Sequence, residues 1–318
     1  MEVRDPFAAT LNADGVALRQ ADLTKNGFTI FSTCCLHDWS LVEAREHLQS
    51  VFQGVYDRGT APPKPLTNVD SQFTFSSPPN PGGSSSKRIR TQHIINIWHC
   101  DSYFHSFATS KALGKLVAQV CGWEHRGCRL AQDQVWVKPP GAGALSFHRD
   151  TTYFDFLPKE VATVWFTFDA TDGSDGTQGE QLGPLEYCRG SHLWSLARRG
   201  SASQFFDPDY HAMLRDAAQR ELAAGDGSAW AQECARDLQV SKVLAEAGGF
   251  SIHNGNTWHG SGPNVTNQYR RGIGLHFIPG DVVFNLADVG TLWRPYVDPE
   301  GSSQLPEKWF PWVHVPSD

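Results

Sequence analysis

From Gln134 onward the chain breaks into short runs of β-type residues, QVWVK, VATVWFTF, GPLEY, GGFSIH and RGIGLHFI, each bounded by turn-forming residues. Strands this short and this closely spaced, with no helical crossover between most of them, close into two antiparallel sheets and not into a parallel α/β layer. The expected fold is mainly β with flanking helices (α+β), built on a jelly roll. One interruption, residues 204–246, contains the helix-like tract HAMLRDAAQRELAA and reads as an insertion covering one face.

The first third has a different texture. The segment KNGFTIFS predicts a short strand. Asp38-Trp39-Ser40 predicts a helix start in which Ser40 and Glu43 have capping-box spacing. Leu41, Ala44, Leu48, Phe52 and Val55 then recur at helical intervals, taking that helix to about Tyr56. Residues 76–87, SSPPNPGGSSSK, predict a loop. A second amphipathic helix is expected from roughly Ser106 to Val120, ending near Gly122.

A hydrophobic fraction of 40% against 19% charged residues supplies a large core and excludes a disordered chain. A formal charge of -7 provides no basic face for nucleic acid or an anionic membrane, so neither is an expected partner. The start, MEVRDPFAATLNADG, lacks an apolar stretch behind a basic one, and no run is apolar enough to span a bilayer. The expectation is an intracellular, cytoplasmic protein. Seven cysteines without a CxxC pair indicate neither a disulfide framework nor a zinc knuckle. The sequon at Asn264-Val265-Thr266 would matter only in a secreted protein.

Chemistry concentrates in two places. Phe147-His148-Arg149-Asp150 follows the turn PPGAGALS, and residues two apart in an extended segment point the same way, so His148 and Asp150 can converge on one metal ion. Alone, a His-x-Asp is equally a surface histidine beside a solvated carboxylate. The second place is Thr257-Trp258-His259-Gly260-Ser261-Gly262-Pro263-Asn264, followed by Tyr269-Arg270-Arg271 and the strand GIGLHFI. His259 precedes the turn and Arg270 starts the returning strand, so both reach one cavity. A metal-bound 2-oxo acid needs this set: its keto and carboxylate oxygens chelate the metal, and its far carboxylate takes a bidentate guanidinium. Two histidines and one carboxylate leave about three open positions on iron(II), for the co-substrate and dioxygen. A zinc hydrolase with these ligands would require a separate base and leave Arg270 without a role. His253 competes with His259 as the third ligand, but lacks the Gly-Ser-Gly-Pro-Asn sequel and the arginine eleven positions later.

These motifs make the chain resemble the phytanoyl-CoA dioxygenase family of iron(II)- and 2-oxoglutarate-dependent oxygenases. The resemblance rests on Gln134-Val135-Trp136-Val137-Lys138-Pro139-Pro140, on His148-Arg149-Asp150-Thr151-Thr152-Tyr153-Phe154, on Gly183-Pro184-Leu185-Glu186-Tyr187 with Gly190-Ser191-His192, and on the stretch from Trp258 to Arg270. It implies a double-stranded β-helix core over about residues 130–280, a helical N-terminal part over about 20–125 and the variable insertion at about 204–246, all within a single oxygenase domain. It implies that His148, Asp150 and His259 hold iron(II), that Arg270 and Ser261 bind the far carboxylate of 2-oxoglutarate, and that Gln134 and Trp165 line the co-substrate pocket. Related halogenases replace the carboxylate ligand with a small residue, and Asp150 is retained here. The implied reaction is hydroxylation of an unactivated C–H bond in a small or medium organic molecule, with dioxygen consumed and succinate and carbon dioxide released. The alternatives are a catalytically silent jelly-roll binding protein and a cupin-type metal-dependent hydrolase.

Other residues fit two readings each. Tyr153, directly after the metal motif, is the favoured substrate contact among the aromatics from Tyr153 to Phe156, Trp98 and Phe104, which otherwise serve as packing. Lys87-Arg88-Ile89-Arg90 could clamp an anionic substrate, but such runs are usually a solvated edge; Arg189, Arg198 and Arg199 pose the same question with less support. His192 is expected to serve a turn, and His276 to be a core or metal-supporting group instead of a ligand.

Overall fold

The computed structural model describes every residue except 1–3, 8–10, 64–74, 76–90, 155–159, 177, 196–208, 291–292 and 317–318. The loop expected at 76–87, Lys87 to Arg90, Phe156, Arg198 and Arg199 therefore lie outside the described residues, as does the start of the 204–246 insertion.

Helix α1 (Ala13–Asn26) is capped by Asn12 and stopped by Gly27 in the left-handed region at φ 87°. Strand β1 (Phe28–Phe31) follows, within the segment expected to be a strand. Helix α2 (Asp38–Phe52) starts with His37 at the cap position and no side-chain cap. The capping box expected at Ser40 is not formed, because Ser40 is buried inside the helix with its hydroxyl 2.7 Å from that of Tyr103. Val55 is also off the helix and 56% exposed, since the chain turns at Gly54 with φ 77°. After β2 (Gln92–Ile95), the single helix expected near 106–120 is two: α3 (Ser102–Ala108) and α4 (Lys111–Cys121). Ser110 divides them by taking the Leu113 amide on its hydroxyl at 3.0 Å, a donor that a continuous helix would give to a backbone carbonyl.

The remaining strands are β3 (Cys128–Lys138), β4 (Leu145–His148), β5 (Ala162–Thr167), β6 (Leu185–Cys188), β7 (Val240–Lys242), β8 (Phe250–Asn254), β9 (His259–Ser261), β10 (Arg270–Pro279) and β11 (Trp312–His314). They form two antiparallel sheets. The larger runs β1-β8-β5-β10-β3-β11, with β2 sharing the outer edge of β3; the smaller runs β4-β9-β6-β7. This is the two-sheet jelly roll, mixed with helices, that the strand pattern predicts.

Side-chain alternation divides the larger sheet into two faces with different chemistry. Val135, Val137, Val164, Phe166, Phe250, Ile252, Ile273 and Leu275 meet α2, α3 and α4 in one continuous apolar core. Phe166 and Phe250, both fully buried with rings 4.8 Å apart, contribute roughly 1.5–3 kcal/mol each by burial. The alternate positions, among them Gln134, Trp136, Thr163, Trp165, His253 and His276, face the smaller sheet across a pocket. The insertion supplies α5 (Ala212–Ala224) and α6 (Ala229–Arg236), whose Leu214, Ala218, Ala231 and Ala235 pack on Phe147 and Trp258 behind that smaller sheet. No helix among the described residues is long and apolar enough to cross a membrane.

Candidate active site

His148 ends β4 and is the register partner of His259, which opens β9, so pairing of the two strands sets the imidazoles side by side with ring centres 4.2 Å apart. The strand does not continue to Asp150, which instead begins a 3-10 turn. Arg149 between them stays extended, at φ -125° and ψ 139°, and its guanidinium turns the other way, over the Trp258 ring. His148, Asp150 and His259 each offer a donor atom within 4.8 Å of the others.

Both histidines are held in one tautomer. His148 Nδ1 lies 3.0 Å from Ser146 O and His259 Nδ1 lies 2.9 Å from Thr257 O. A carbonyl only accepts, so each Nδ1 carries the proton and each Nε2 carries the lone pair that a metal requires. Burial, helped by the facing His259, pushes His148 down to about 3, against the pull of Asp150. Burial likewise pushes His259 down to about 4. Both rings are therefore neutral near pH 7. Burial works to raise the Asp150 carboxyl, but His259, His276 and the hydrogen bond from His253 outweigh it and hold the group well below the usual carboxylate range.

Asp150 is oriented by residues on the larger sheet. Its Oδ2 accepts from Thr163 Oγ1 at 2.6 Å and contacts His253 Nε2 at 2.9 Å, while Oδ1 lies 3.5 Å from His259 Nε2. His253 is held in turn by Tyr187, whose hydroxyl is 2.9 Å from Nδ1 and 2.7 Å from Ser251 Oγ. Both ring nitrogens of His253 are thus occupied, which sets it apart from His259. Thr163 also contacts His276 Nδ1 at 2.8 Å.

Arg270 opens β10 in the same pocket, only 2% exposed, with its guanidinium 5.1 Å over the Trp165 ring. Among the described residues its Nε has no hydrogen-bond partner and no carboxylate forms an ion pair with it. Burial lowers its pKa to about 10, opposed by more distant Asp169. Lys138, its register partner on β3, is fully buried and donates to Ser261 Oγ at 2.7 Å and to Gly262 O. Burial and the neighbouring Arg270 push the Lys138 amine well below its ordinary range, whereas the Arg270 guanidinium stays charged, and a buried cation left without an anion costs roughly several kcal/mol, so this arrangement fits a site completed by an anionic ligand.

The pocket brings together seven of the residues singled out in the sequence: His148, Asp150, His259, Arg270, Ser261, Gln134 and Trp165. Tyr153 does not line it; its ring is 6.4 Å from that of His148 and packs with Phe154 and Trp293 at the side. Trp98 and Phe104 belong to the core under the helices. His192 sits in a 3-10 turn, 3.0 Å from Thr24 O. Arg189 is bonded to Asn26 and Gln239. Thr163, Tyr187 and Lys138 were not identified from sequence. Thr163 had a signal, lying two positions before Trp165 on one strand and therefore on the same face.

Comparisons with known proteins agree with this geometry. The non-heme alpha-ketoglutarate-dependent carbocyclase SnoK from nogalamycin biosynthesis superposes with a TM-score of 0.63 at 16% identity, over 97% of this chain and 98% of its own. The epimerase SnoN from the same biosynthesis also gives 0.63, at 14% identity over 96% and 100%. EctD from S. alaskensis, solved with 2-oxoglutarate and 5-hydroxyectoine, gives 0.52 at 14% identity over 87% and 81%. At such identities the likeness establishes the fold. No curated protein matches the chain in sequence. Residues 110–272, half of the chain and all of the motifs above, match the profile described as Phytanoyl-CoA dioxygenase (PhyH). With the strand order, the His-Asp-His cluster and the unpaired buried arginine in one pocket, the chain belongs to the phytanoyl-CoA dioxygenase family of iron- and 2-oxoglutarate-dependent oxygenases.

Proposed function

We propose that this oxygenase hydroxylates an unactivated C–H bond of a small organic molecule, with His148, Asp150 and His259 as its iron ligands and Arg270 and Ser261 as its anchor for the far carboxylate of 2-oxoglutarate. The observation that carries the reading is Arg270, a buried guanidinium without an anion in the pocket that holds the metal-type donor set. The donors suit iron(II): two neutral imidazoles and one ionised carboxylate, grouped so that the remaining positions face the pocket. Iron(II) with 2-oxoglutarate supplies the oxidising power of dioxygen for hydrogen abstraction, releasing succinate and carbon dioxide.

The chain's own residues bind, orient and exclude. Arg270 and Ser261 set the direction of the dicarboxylate, and Trp165 closes the apolar wall beneath the guanidinium. Thr163 and His253 hold Asp150 by one oxygen so that the other is turned to His259. Gln134 is held to Gln132 at 2.6 Å and accepts from Trp136 Nε1 at 3.2 Å, which fixes an amide at the pocket wall. Retention of the Asp150 carboxylate leaves no place for a halide among the ligands, in keeping with hydroxylation.

Anaerobic addition of iron(II) and then 2-oxoglutarate to metal-free protein is expected to produce the weak visible charge-transfer band of a chelated 2-oxo acid. Arg270→Ala and His259→Ala should each weaken or abolish it. A folded, iron-loaded protein that shows no band would overturn the co-substrate assignment and favour a metal hydrolase or a silent binding protein.

A further inference from the structure

The two segments that carry the metal-type donors meet in an irregular stretch of sheet. β4 and β9 pair at Leu145 with Ser261 and at His148 with His259, and β4 carries one residue more than β9 between these partners. A bulge of this kind interrupts the ladder while re-aiming side chains, and the strand ends before Asp150. Behind the smaller sheet a side-chain contact spans the same two segments. Arg149 stands between His148 and Asp150 in extended backbone, so its side chain leaves on the opposite face. Its guanidinium lies 5.3 Å over the ring of Trp258, the residue before His259, and both residues are buried.

Each member of the pair is anchored in the layer behind the sheet. The Trp258 amide donates to Ser191 Oγ at 2.9 Å, and its carbonyl accepts from the Cys188 amide at 2.9 Å. Arg149 Nη1 donates to Ser195 O at 3.4 Å, and the Ser195 amide donates to Glu221 Oε2 on α5 at 2.7 Å. Arg149 and Trp258 line a separate cavity there and not the pocket that holds the donors. We propose that Arg149 and Trp258 are positioning residues, a cation–π clamp that fixes the spacing of His148 and Asp150 against His259 and thereby the geometry of the metal site. The assignment rests on the reading that these three residues are the metal ligands. Thr163 and His253 orient the Asp150 carboxylate from the larger sheet, whereas the clamp sets where the two ligand-bearing backbones stand. A guanidinium suits the task because it is flat, permanently charged and weakly hydrated, and an indole offers a cation the strongest ring face. Buried from water, the contact escapes the screening that weakens a surface pair.

The test titrates cobalt(II) into metal-free wild type, Arg149→Met, Trp258→Leu and the double variant, following the visible absorption of the bound ion, which reports its ligand geometry. Each single change should raise Kd roughly tenfold, the scale of losing a group that orients metal ligands, and both should shift the bands in the same way. The double variant should be no weaker than the weaker single one, because both remove the same contact. A lower unfolding midpoint with Kd and spectrum unchanged in folded Arg149→Met would reduce the pair to packing and overturn the proposal. Single effects that multiply to roughly a hundredfold in the double variant would overturn it as well. If Arg149→Met or Trp258→Leu does not fold, Arg149→Lys keeps the charge without the flat face and Trp258→Phe keeps a smaller face. Each should then raise Kd about threefold, and an unchanged Kd in both would count against the clamp. Wild-type protein that binds no cobalt(II) would overturn the ligand assignment and this one together. Binding that is lost in His259→Ala and unchanged in Arg149→Met would overturn only the clamp.

Discussion

His253 Nε2 lies 2.9 Å from Asp150 Oδ2, and that contact decides which carboxylate oxygen is turned toward His259. Thr163 holds the same oxygen from the next strand, so the carboxylate is gripped on one side and presented on the other.

Replacing His253 by Phe removes the contact and frees Asp150 to rotate. The expected result is a loss of iron(II) affinity of about 10- to 100-fold, the usual effect of removing a group that orients a metal ligand. Tyr187→Phe, which releases only the far nitrogen of His253, should cost less. Competition with a colorimetric chelator measures both; equal affinity in all three proteins would show that Asp150 does not depend on His253 for its orientation.

Gly272 and Gly274 give contrasting expectations on one strand face. A Cβ at Gly272 would lie 2.4 Å from Trp165 Cζ2 and 2.8 Å from Phe166 O, so Gly272→Ala must displace the indole that underlies Arg270. At Gly274 the nearest atom is Trp165 Cε3 at 3.6 Å, an ordinary contact. Urea unfolding should show a loss of roughly 1–3 kcal/mol for Gly272→Ala and little change for Gly274→Ala. Weakened 2-oxoglutarate binding should accompany the first only. Equal stability of the two variants would mean that Trp165 has room to move.

Asp133 links stability to pH. It is fully buried on β3, accepts from the Trp98 amide at 3.0 Å, and burial pushes its carboxyl up to about 7 against the pull of backbone amides. In the unfolded chain the group titrates near 3.9. Between these values the folded protein keeps a proton that the unfolded chain has released, so this group favours folding most at low pH. Its contribution falls as pH rises from about 4 to about 7, by up to about 1.4 kcal/mol per pH unit. Asp133→Asn should remove that decline from the unfolding free energy measured between pH 5 and 7. The same slope in both proteins would place the titration elsewhere.

The sequence by itself determined the class of the fold and singled out the residues that meet in the pocket. Strand-length runs with period-two alternation specify two antiparallel sheets, because only one face of each strand can meet the helices while the other carries polar groups. His148, Asp150, His259 and Arg270 were legible because each stands in a local pattern of turn and strand, where a few neighbouring residues fix the direction of the side chain. Local pattern misled where a competing contact was remote. Ser40 has a capping residue's chemistry but is buried inside α2 with its hydroxyl on that of Tyr103 in α3, and Ser110 divides a helix whose apolar spacing looked continuous. Only the tertiary structure distinguishes His253 from His259 in physical terms, through the two partners that occupy the ring of His253, Tyr187 on β6 and Asp150 in the turn after β4. It alone set Lys138 beside Arg270, because strand register, which joins residues more than a hundred positions apart, is chosen by the packing of whole sheets and leaves no mark in any short stretch of sequence.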